Sequence, residues 1–345
     1  MKNPLYGKTL AELSQIVSDD LSSPAFSARQ IADWLYKKQI ASIDEMTNLS
    51  AKARAALSEK YCIGNYEPAL VQTSKDGTKK YLFTVPPSGE SRGGAVEAVF
   101  IPDRDRATLC VSSQVGCRMN CAFCATAKQK LQYNLTATDI LNQFRSLPEQ
   151  KSITNIVLMG MGEPFDNAEE LFKSLEILTA EYGYAWAPKR ITVSTVGILP
   201  AVRNFIDNSR CHLAVSLNHP NTEERRKLMP AENKYPIKQL IDFLKTCDLN
   251  KQQRISFEYV MLAGINDSVL HANDVARLLS GLRCRVNLIR YNKFRTAVFE
   301  SSNEQVIQKF ADALNRKGII TTIRRSRGQD INAACGMLST IAINR

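Results

Sequence analysis

The stretch LCVSSQVGCRMNCAFCATAKQK, residues 109–130, decides which fold and which chemistry the sequence predicts. It places Cys117, Cys121 and Cys124 on one short loop, with three and then two residues between them. Thiolate sulfur is a soft ligand that suits an iron–sulfur cubane, and three ligands leave one of its four irons without a protein ligand. An iron with an open position can bind a second molecule directly. The spacing therefore predicts a reactive 4Fe–4S cluster at this loop.

A structural zinc site is the alternative interpretation of the same cysteines, with Cys110 as the fourth thiolate of a tetrahedron. Structural zinc sites usually combine two pairs of cysteines rather than three cysteines on one loop. Cys110 also falls inside a candidate strand, where its thiol can lie near a cluster without binding it. The sequence therefore favours iron, and zinc stays as the alternative.

From about Val96 onward, apolar strands alternate with amphipathic helices, which is typical of parallel βαβ units. Six such units are too few for a closed eight-stranded barrel, so we expect the α/β class and an open (β/α)6 partial barrel. Active-site residues then lie at the carboxyl ends of the strands. The candidate strands are ATLCVSS, ITNIVLMG, RITVSTVG, CHLAVSLN, ISFEYVML and CRVNLIRY, and the candidate helices are residues 136–146, 168–180, 237–247, 269–282 and 304–316.

Two further regions precede this core. Residues 1–63 contain apolar residues at three- and four-residue spacing, which predicts a small N-terminal helical domain. Residues 64–95 contain an alternating run around Asp76-Gly77, which predicts a β-hairpin linker. The core then spans residues 96–345 and ends in a basic segment that carries Cys335.

The charge balance favours a polyanionic partner. The 345 residues include 45 Lys or Arg and 34 Asp or Glu, a formal net charge of +11. Residues 281–345 contain 12 basic and 4 acidic side chains, so +8 of that charge lies there, although a solvated surface explains part of such a bias. Since the sequence shows neither a signal peptide nor a long apolar segment, we expect a soluble cytoplasmic protein with no membrane partner. The nine cysteines in a reducing compartment do not predict a disulfide framework.

A second motif follows the second candidate strand, at MGMGEPFDN (159–167). Gly160 and Gly162 allow the backbone to approach a ligand closely, and Glu163 with Pro164 forms a rigid polar end. Later strand ends also carry polar residues, each of which alone is ordinary for a cap or a turn. Their recurrence predicts a binding site that includes Ser194, Ser216 with the adjoining Leu217 and Asn218, and Asn292.

These motifs together resemble one family over nearly the whole chain. They are similar to the dual-specificity adenosine carbon-2 methyltransferases of the RlmN type, radical S-adenosylmethionine enzymes that act on 23S ribosomal RNA and tRNA. The resemblance implies a radical-SAM partial barrel, and it implies that Gly162, Glu163 and Pro164 hold the methionine amino group of S-adenosylmethionine. The motifs are VEAVFIP (96–102), the cysteine stretch, GMGEP (160–164), FEYVMLAGIND (257–267) and RGQDINAACG (327–336), with WLYKK and MTNLS near the amino end.

The resemblance also implies a reaction sequence. Carbon 2 of adenine is electron-poor and cannot attack a sulfonium methyl group, so a radical route is needed. Cys335 first takes a methyl group from one S-adenosylmethionine, as a thiolate can. A radical from a second S-adenosylmethionine then removes a hydrogen from that methyl group, and the resulting carbon radical adds to the base. Cys110 resolves the adduct through a transient disulfide, and Glu97 acts as the base, although a solvated strand residue explains Glu97 equally well without the resemblance.

The implied partners are 23S rRNA, tRNA and an external electron donor such as a flavodoxin-type reductase system, with the enzyme as a monomer. The target adenine must leave its stack to reach a buried cluster. Basic residues near the reactive motifs are expected to contact phosphates. They are Arg118, Lys128, Lys130, Arg324, Arg325 and Arg327.

Two departures from the family pattern bear on the shape of the pocket. Met337 stands in CGML where the family commonly has CGQL, and the segment after Asn292 lacks the expected prolines. Methylation of carbon 8, as in the related antibiotic-resistance methyltransferases, is the nearest alternative function. A non-catalytic zinc-containing RNA-binding protein is the alternative of another class. We expect the remaining cysteines to fill the core: Cys62, Cys211, Cys247 and Cys284.

Overall fold

The computed structural model describes residues 2–21, 23–85, 87, 93–248, 253–294 and 297–339. The chain divides into two compact units, each made of separate stretches of sequence. Unit 1 contains residues 1–68, 135–151 and 167–188. Unit 2 contains residues 69–134, 152–166 and 189–345. The predicted boundaries near residues 63 and 95 stay a prediction.

Unit 1 is mainly helical. The side chain of Thr9 caps its first helix, and Glu12 completes a capping box by accepting the Thr9 amide at 2.8 Å. Its helices are α1 (Leu10–Ile16), α2 (Ser27–Ala32), α3 (Ala51–Lys60), α4 (Ala137–Arg145) and α5 (Ala168–Thr179). Two π-helical turns (Val17–Leu21 and Asp33–Lys38) and a short parallel pair of strands, β1 (Asn3–Pro4) and β2 (Tyr61–Cys62), complete it.

Aromatic side chains hold the three stretches of unit 1 together. The hydroxyl groups of Tyr6 and Tyr184 are hydrogen-bonded at 2.6 Å, and Phe144 packs edge-on against Tyr184 with ring centroids 5.1 Å apart. The guanidinium of Arg145 lies over the Tyr6 ring at 4.6 Å. Aromatic pairs of this kind contribute about 0.5–1.5 kcal/mol beyond the area they bury. Residues far apart in sequence therefore share one core.

Unit 2 is built on a ten-stranded sheet with the order β14-β13-β12-β11-β10-β9-β6-β5-β4-β3. Its strands, with the separate antiparallel pair β7 and β8, are β3 (Leu70–Thr73), β4 (Lys79–Val85), β5 (Gly94–Asp103), β6 (Arg106–Cys110), β7 (Gln114–Val115), β8 (Tyr133–Asn134), β9 (Asn155–Leu158), β10 (Ile191–Thr195), β11 (His212–Ser216), β12 (Ile255–Met261), β13 (Cys284–Arg290) and β14 (Ile320–Arg324).

The sheet is parallel from β6 to β14 and antiparallel from β6 to β3. Its end strands β14 and β3 do not pair with each other in the part of the chain that the structure describes, so the sheet is open. This confirms the predicted α/β class and partial barrel. The structure adds a seventh parallel strand, β14, to the six that the sequence pattern predicted. In a parallel sheet of this kind the carboxyl ends of the strands form one edge.

The helices of unit 2 connect the parallel strands in chain order. The predicted helices near residues 237–247, 269–282 and 304–316 are present, and two further helices begin at Leu199 and Thr222. None of the described helices is long and apolar enough to cross a bilayer. The helices are α6 (Leu199–Asn208), α7 (Thr222–Leu228), α8 (Ile237–Thr246), α9 (Val269–Leu278) and α10 (Glu304–Arg316).

Candidate active site

The cysteine loop, residues 116–130, begins directly after β7. Gly116 has φ +75°, and a Cβ atom there would lie 1.7 Å from the Lys130 carbonyl oxygen, so only glycine lets the two ends of the loop meet. The Ala122 amide donates to the Leu228 carbonyl at 2.9 Å, which fixes the middle of the loop to the end of α7. The loop is therefore held at both its base and its centre.

The three predicted metal ligands lie together on this loop. Burial raises the pKa of Cys117 to about 12 and that of Cys121 well above its usual range, and neighbouring thiols of the trio add to both shifts. A thiol in such a position ionises when a metal cation binds it. Soft thiols with this requirement fit an iron–sulfur cluster.

The arrangement of acidic, cysteine and histidine side chains shows whether the site could hold a single metal ion instead of a cluster. Among the described residues, no three or more of them converge closely enough to hold a single metal ion. In a cubane each cysteine binds a different iron, so the ligands need not converge on one point. The loop therefore offers three separate thiol ligands. Cys110, the fourth ligand of the zinc interpretation, lies outside this loop, at the end of β6.

The glycine-rich loop after β9 packs tightly against the chain itself. A Cβ atom on Gly160 would lie 2.7 Å from the Ser112 hydroxyl, and one on Gly162, at φ +100°, would lie 2.6 Å from the Gln114 Cβ. The sequence analysis expected these glycines to admit a ligand. In the structure both glycines pack against residues 111–114, the segment that leads from β6 into the cysteine loop, and their contact with a ligand stays a prediction.

Glu163 is buried and uses its carboxylate inside the protein. It accepts the Val196 amide at 2.8 Å and the Phe165 amide at 3.2 Å, and its own amide donates to the Gln114 side chain at 2.8 Å. Burial raises the pKa of Glu163 to about 7, although the bonds from Val196 and Thr195 oppose the shift. The carboxyl group thus ties the glycine-rich loop to the end of β10.

The residues predicted at later strand ends differ in burial and in hydrogen bonding. Ser194 and Ser216 are half-buried at the ends of β10 and β11, whereas Leu217 is fully buried. Asn218 adopts φ 55° and accepts the Val260 amide at 2.8 Å, so its carbonyl joins the end of β11 to β12. The structure brings these residues to the same edge as the cysteine loop, and their contact with a ligand stays a prediction.

Arg225 is a site residue that the sequence analysis missed. Its side chain is fully buried and donates to the carbonyls of Val196, Ser216 and Leu217 at 2.9 Å each, which gathers the ends of β10 and β11. Glu232 is its ion-pair partner. Arg225 stands in the charged cluster TEERRKL, and such a cluster ordinarily predicts an exposed helix face rather than a buried side chain.

Cys335 contributes to the raised pKa of Cys110, and Arg324 influences both thiols. Burial raises the pKa of Cys110 to about 12, Cys335 adds to the shift, and the Arg324 guanidinium opposes it. Residue Cys335 is exposed, yet the surrounding protein raises the pKa of its thiol and Arg324 again opposes the rise. The Arg324 guanidinium favours the ionised form of both predicted thiols, and their roles stay a prediction.

The segment around Cys335, residues 328–339, is anchored to the rest of the site. The Ala125 amide of the cysteine loop donates to the Gly336 carbonyl at 2.8 Å. Asn292 donates to the Cys335 carbonyl at 3.4 Å and accepts the Gln329 side chain at 2.8 Å. Asn292, predicted as a ligand-binding residue, thus positions the segment that carries the thiol.

Glu97 lies inside the protein, with only 2% of its surface exposed. Its carboxylate forms an ion pair with Lys80 at 2.9 Å and accepts the Ser339 amide at 2.9 Å. Burial raises the pKa of Glu97, and Lys80 opposes the rise. The alternative of a solvated strand residue is therefore wrong. Lys80 was missed because only the pairing of β4 with β5 places it beside Glu97.

The six basic residues predicted to contact phosphates divide into two groups. Arg118 bonds Asp166 at 2.6 Å, Arg327 bonds Asp103 at 3.2 Å, and Arg324 lies 3.5 Å from Glu258. Exposed side chains make up the other group: Lys128, Lys130 and Arg325. Phosphate contact stays a prediction for all six.

Two family profiles match the chain. Residues 111–274 match the radical SAM superfamily, and residues 4–63 match the ribosomal RNA large subunit methyltransferase N-terminal domain. The first range contains the cysteine loop, the glycine-rich loop and Arg225. The second lies within unit 1.

Several relatives are similar over their full length. A probable dual-specificity RNA methyltransferase RlmN of Parabacteroides distasonis is 54% identical over 98% of this chain and 97% of its own. The dual-specificity RNA methyltransferase RlmN of Lawsonia intracellularis is 41% identical over 98% and 96%. A radical SAM methyltransferase from Sphaerobacter thermophilus superposes with a TM-score of 0.88 at 39% identity, covering 97% of this chain and 99% of that structure.

Proposed function

The chain belongs to the dual-specificity RNA methyltransferases of the RlmN type, within the radical SAM superfamily, and we propose that it methylates carbon 2 of a specific adenine in 23S rRNA and in tRNA. It is an RNA methyltransferase, so the interpretation as a non-catalytic zinc protein is wrong. The superfamily implies a 4Fe–4S cluster and S-adenosylmethionine.

One observation supports this chemistry beyond family membership. Unit 2 holds a three-thiol loop and, bonded to that loop through Ala125 and Gly336, the segment of a fourth thiol, Cys335, which contributes to the raised pKa of a fifth, Cys110. Methyl transfer through a protein thioether needs a carrier thiol close to the donor and a second thiol that releases the product. We assign these two roles to Cys335 and Cys110.

Cys117, Cys121 and Cys124 would hold the cluster. A cubane with one open iron supplies the electron that splits S-adenosylmethionine when both are bound. The ends of β9, β10, β11 and β13 would hold the donor, through Gly162, Glu163 and Pro164 with Ser194, Ser216, Leu217, Asn218 and Asn292. We assign one cluster and two molecules of S-adenosylmethionine to each turnover.

Cys335 would carry the methyl group as a thioether and deliver its carbon to the base. Arg324 lies near both thiols and favours their ionised forms, which are the nucleophiles. Cys110 would then attack the Cys335 sulfur. For this step the radical adduct would first have given up one electron, which the oxidised cluster could accept. The bond from that sulfur to the former methyl carbon then breaks, its electron pair stays with that carbon, which takes up a proton to become the methyl group on the base, and a disulfide forms between the two cysteines. An external electron donor such as a flavodoxin-type system must reduce it.

Glu97 would remove the proton from carbon 2 of the adduct. A base must be ionised to do so, and Lys80 at 2.9 Å favours the ionised carboxylate in a buried position that otherwise disfavours it. The Ser339 amide holds the second oxygen. The base is therefore bound to the segment that carries the methyl group.

The net charge of +11 supports RNA as the partner, and the exposed Lys128, Lys130 and Arg325 are candidates for phosphate contacts. Residues 1–63 would form an RNA-docking domain and residues 64–95 a linker to the core at 96–345. We further assign the enzyme to the cytoplasm as a monomer.

The test is anaerobic reconstitution with iron and sulfide, followed by assays for 5′-deoxyadenosine and methylated nucleosides in 23S rRNA and tRNA. Cys121→Ser should lose iron and activity, whereas Cys284→Ser, which replaces a cysteine outside the site, should keep both. Mass spectrometry should find 2-methyladenosine. A product that is only 8-methyladenosine would overturn the carbon-2 assignment, and a holoprotein without iron would overturn the whole mechanism.

A further inference from the structure

The segment of residues 328–339 contains no strand and no α-helix, apart from a 3-10 turn at Gln329–Ile331. Its conformation therefore depends on contacts elsewhere in unit 2. After the thiol, the Gly336 and Leu338 carbonyls accept the Ala125 amide and the Thr126 hydroxyl, each at 2.8 Å. These contacts belong to the site already described. The chain before the thiol has a separate anchor.

That anchor is the turn of the β3–β4 hairpin, residues 74–78. The Asp330 carboxylate accepts the Ser74 hydroxyl at 2.6 Å and the Lys75 amide at 3.2 Å. In the opposite direction, the Asp76 carboxylate accepts the Gly328 amide at 3.1 Å. Each partner gives one carboxylate to the other, and we call this arrangement the aspartate clamp.

The two partners of the clamp also fit closely in shape. Gly328 has φ +62°, and a Cβ atom there would lie 2.9 Å from Thr78 Cγ2 and 2.8 Å from the Ala333 Cβ. Thr78 is fully buried. The Ala333 amide donates to the Gly328 carbonyl at 2.9 Å and closes the turn. The contact with the hairpin therefore fixes the chain up to Ala333, two residues before Cys335.

Both aspartates of the clamp are ionised at neutral pH. Burial alone would raise the pKa of Asp76, but hydrogen bonds from Thr78 and Gly328 outweigh it and lower the pKa to about 2. Bonds from Ser74 and Lys75 lower the pKa of Asp330. Hydrogen bonds to a carboxylate are shorter and stronger than those between neutral groups. The clamp is thus intact throughout the neutral range.

We propose that the aspartate clamp sets the position of the Cys335 thiol, and that Asp76 and Asp330 are positioning residues for methyl transfer. This inference rests on the proposed function. In that function Cys335 must meet the methyl donor, the RNA base and Cys110 in turn, and a displacement of about 1 Å can cost about 10²-fold in rate. Both aspartates are exposed, so they act through the segment and not on the substrate.

The test compares Asp76→Ala, Asp330→Ala and the double variant with Asp105→Ala, an exposed aspartate in the turn between β5 and β6. Three quantities are measured in reconstituted enzyme: kcat and KM for RNA, iron content, and the rate at which iodoacetamide alkylates Cys335 without RNA. Both single variants should lower kcat by up to about 10²-fold at unchanged KM and iron, and change the alkylation rate at Cys335 but not at Cys62. The double variant should be at least as impaired as either single one, because only it removes both the bonds to Asp330 and the bond to Asp76.

The inference is wrong if both variants match Asp105→Ala in kcat and in alkylation rate. It is also wrong if activity falls only in proportion to lost iron, because the clamp would then only stabilise the fold. The alkylation measurement separates this inference from the proposed function. If the wild-type enzyme methylates no adenine but the variants still alter Cys335 alkylation, the clamp stands and the proposed function fails.

Discussion

The Lys80 ammonium group lies 2.9 Å from the Glu97 carboxylate, and both side chains are largely closed to solvent. Removing one partner of a buried pair leaves the other charge uncompensated. The ionisation of Glu97 therefore depends on Lys80.

Replacing Lys80 with Met should raise the pKa of Glu97 further. More of the carboxylate is then protonated at neutral pH, so the acid limb of the pH profile for resolution of the RNA adduct should move to higher pH. Lys80→Arg keeps the charge and should keep the profile. The rate loss at neutral pH should be smaller than the factor of about 10² or more that a general base contributes. An unchanged profile in Lys80→Met would exclude Glu97 as the titrating base.

Replacing Cys335 with Ala should abolish methylation, because the thiol that would carry the methyl group is lost. Mass spectrometry should find neither methylated adenine nor a methylated cysteine peptide. Cys62→Ala changes a cysteine of unit 1 and should leave both signals intact. Methylated RNA from Cys335→Ala would exclude a thioether carrier at this residue.

Replacing Cys110 with Ala should trap the enzyme on its substrate, since the bond between Cys335 and RNA then has no thiol to break it. A denaturing gel should show an RNA–protein species that nuclease digestion collapses to the size of the protein. Release of methylated RNA at the normal rate would show that another group resolves the adduct.

Replacing Arg225 with Met should destabilise the fold by about 3–5 kcal/mol, because Glu232 is left as a buried unpaired charge. Urea unfolding under reducing conditions measures the change. Combining it with Glu232→Gln removes that charge and should recover part of the loss. The neighbouring Arg226 forms an exposed pair with Glu223, so Arg226→Met should cost no more than about 1 kcal/mol. Equal losses in Arg225→Met and Arg226→Met would contradict a structural role for the buried pair.

Local sequence patterns predicted those parts of the site that depend on local spacing. The trio at Cys117, Cys121 and Cys124 lies on one loop, so three- and two-residue spacings are enough to bring the thiols together. The parallel core followed from apolar strands alternating with helices. The strand at Ile320–Arg324 was not predicted, because it is a partly exposed edge strand of the sheet and has no continuous apolar run.

Contacts between distant segments could not be predicted in this way. Lys80 meets Glu97 through the register of two antiparallel strands, and Arg225 reaches carbonyls 29 residues away in sequence at Val196. The helix at Leu10–Ile16, in contrast, could have been predicted from local sequence, because Thr9 and Glu12 have the spacing of a capping box. The helix at Leu199 likewise begins with Pro200, a common first-turn residue.

Each of the two units consists of three separate stretches of sequence, so neither can fold completely until its last stretch has been synthesised. The chain passes between them five times, and unit 1 includes residues 167–188. A ribosome delivers the amino-terminal helices first, but the aromatic core around Tyr6 cannot close until Tyr184 has emerged. The earliest apolar surface of the nascent protein therefore lacks this part of its core through more than half of the synthesis.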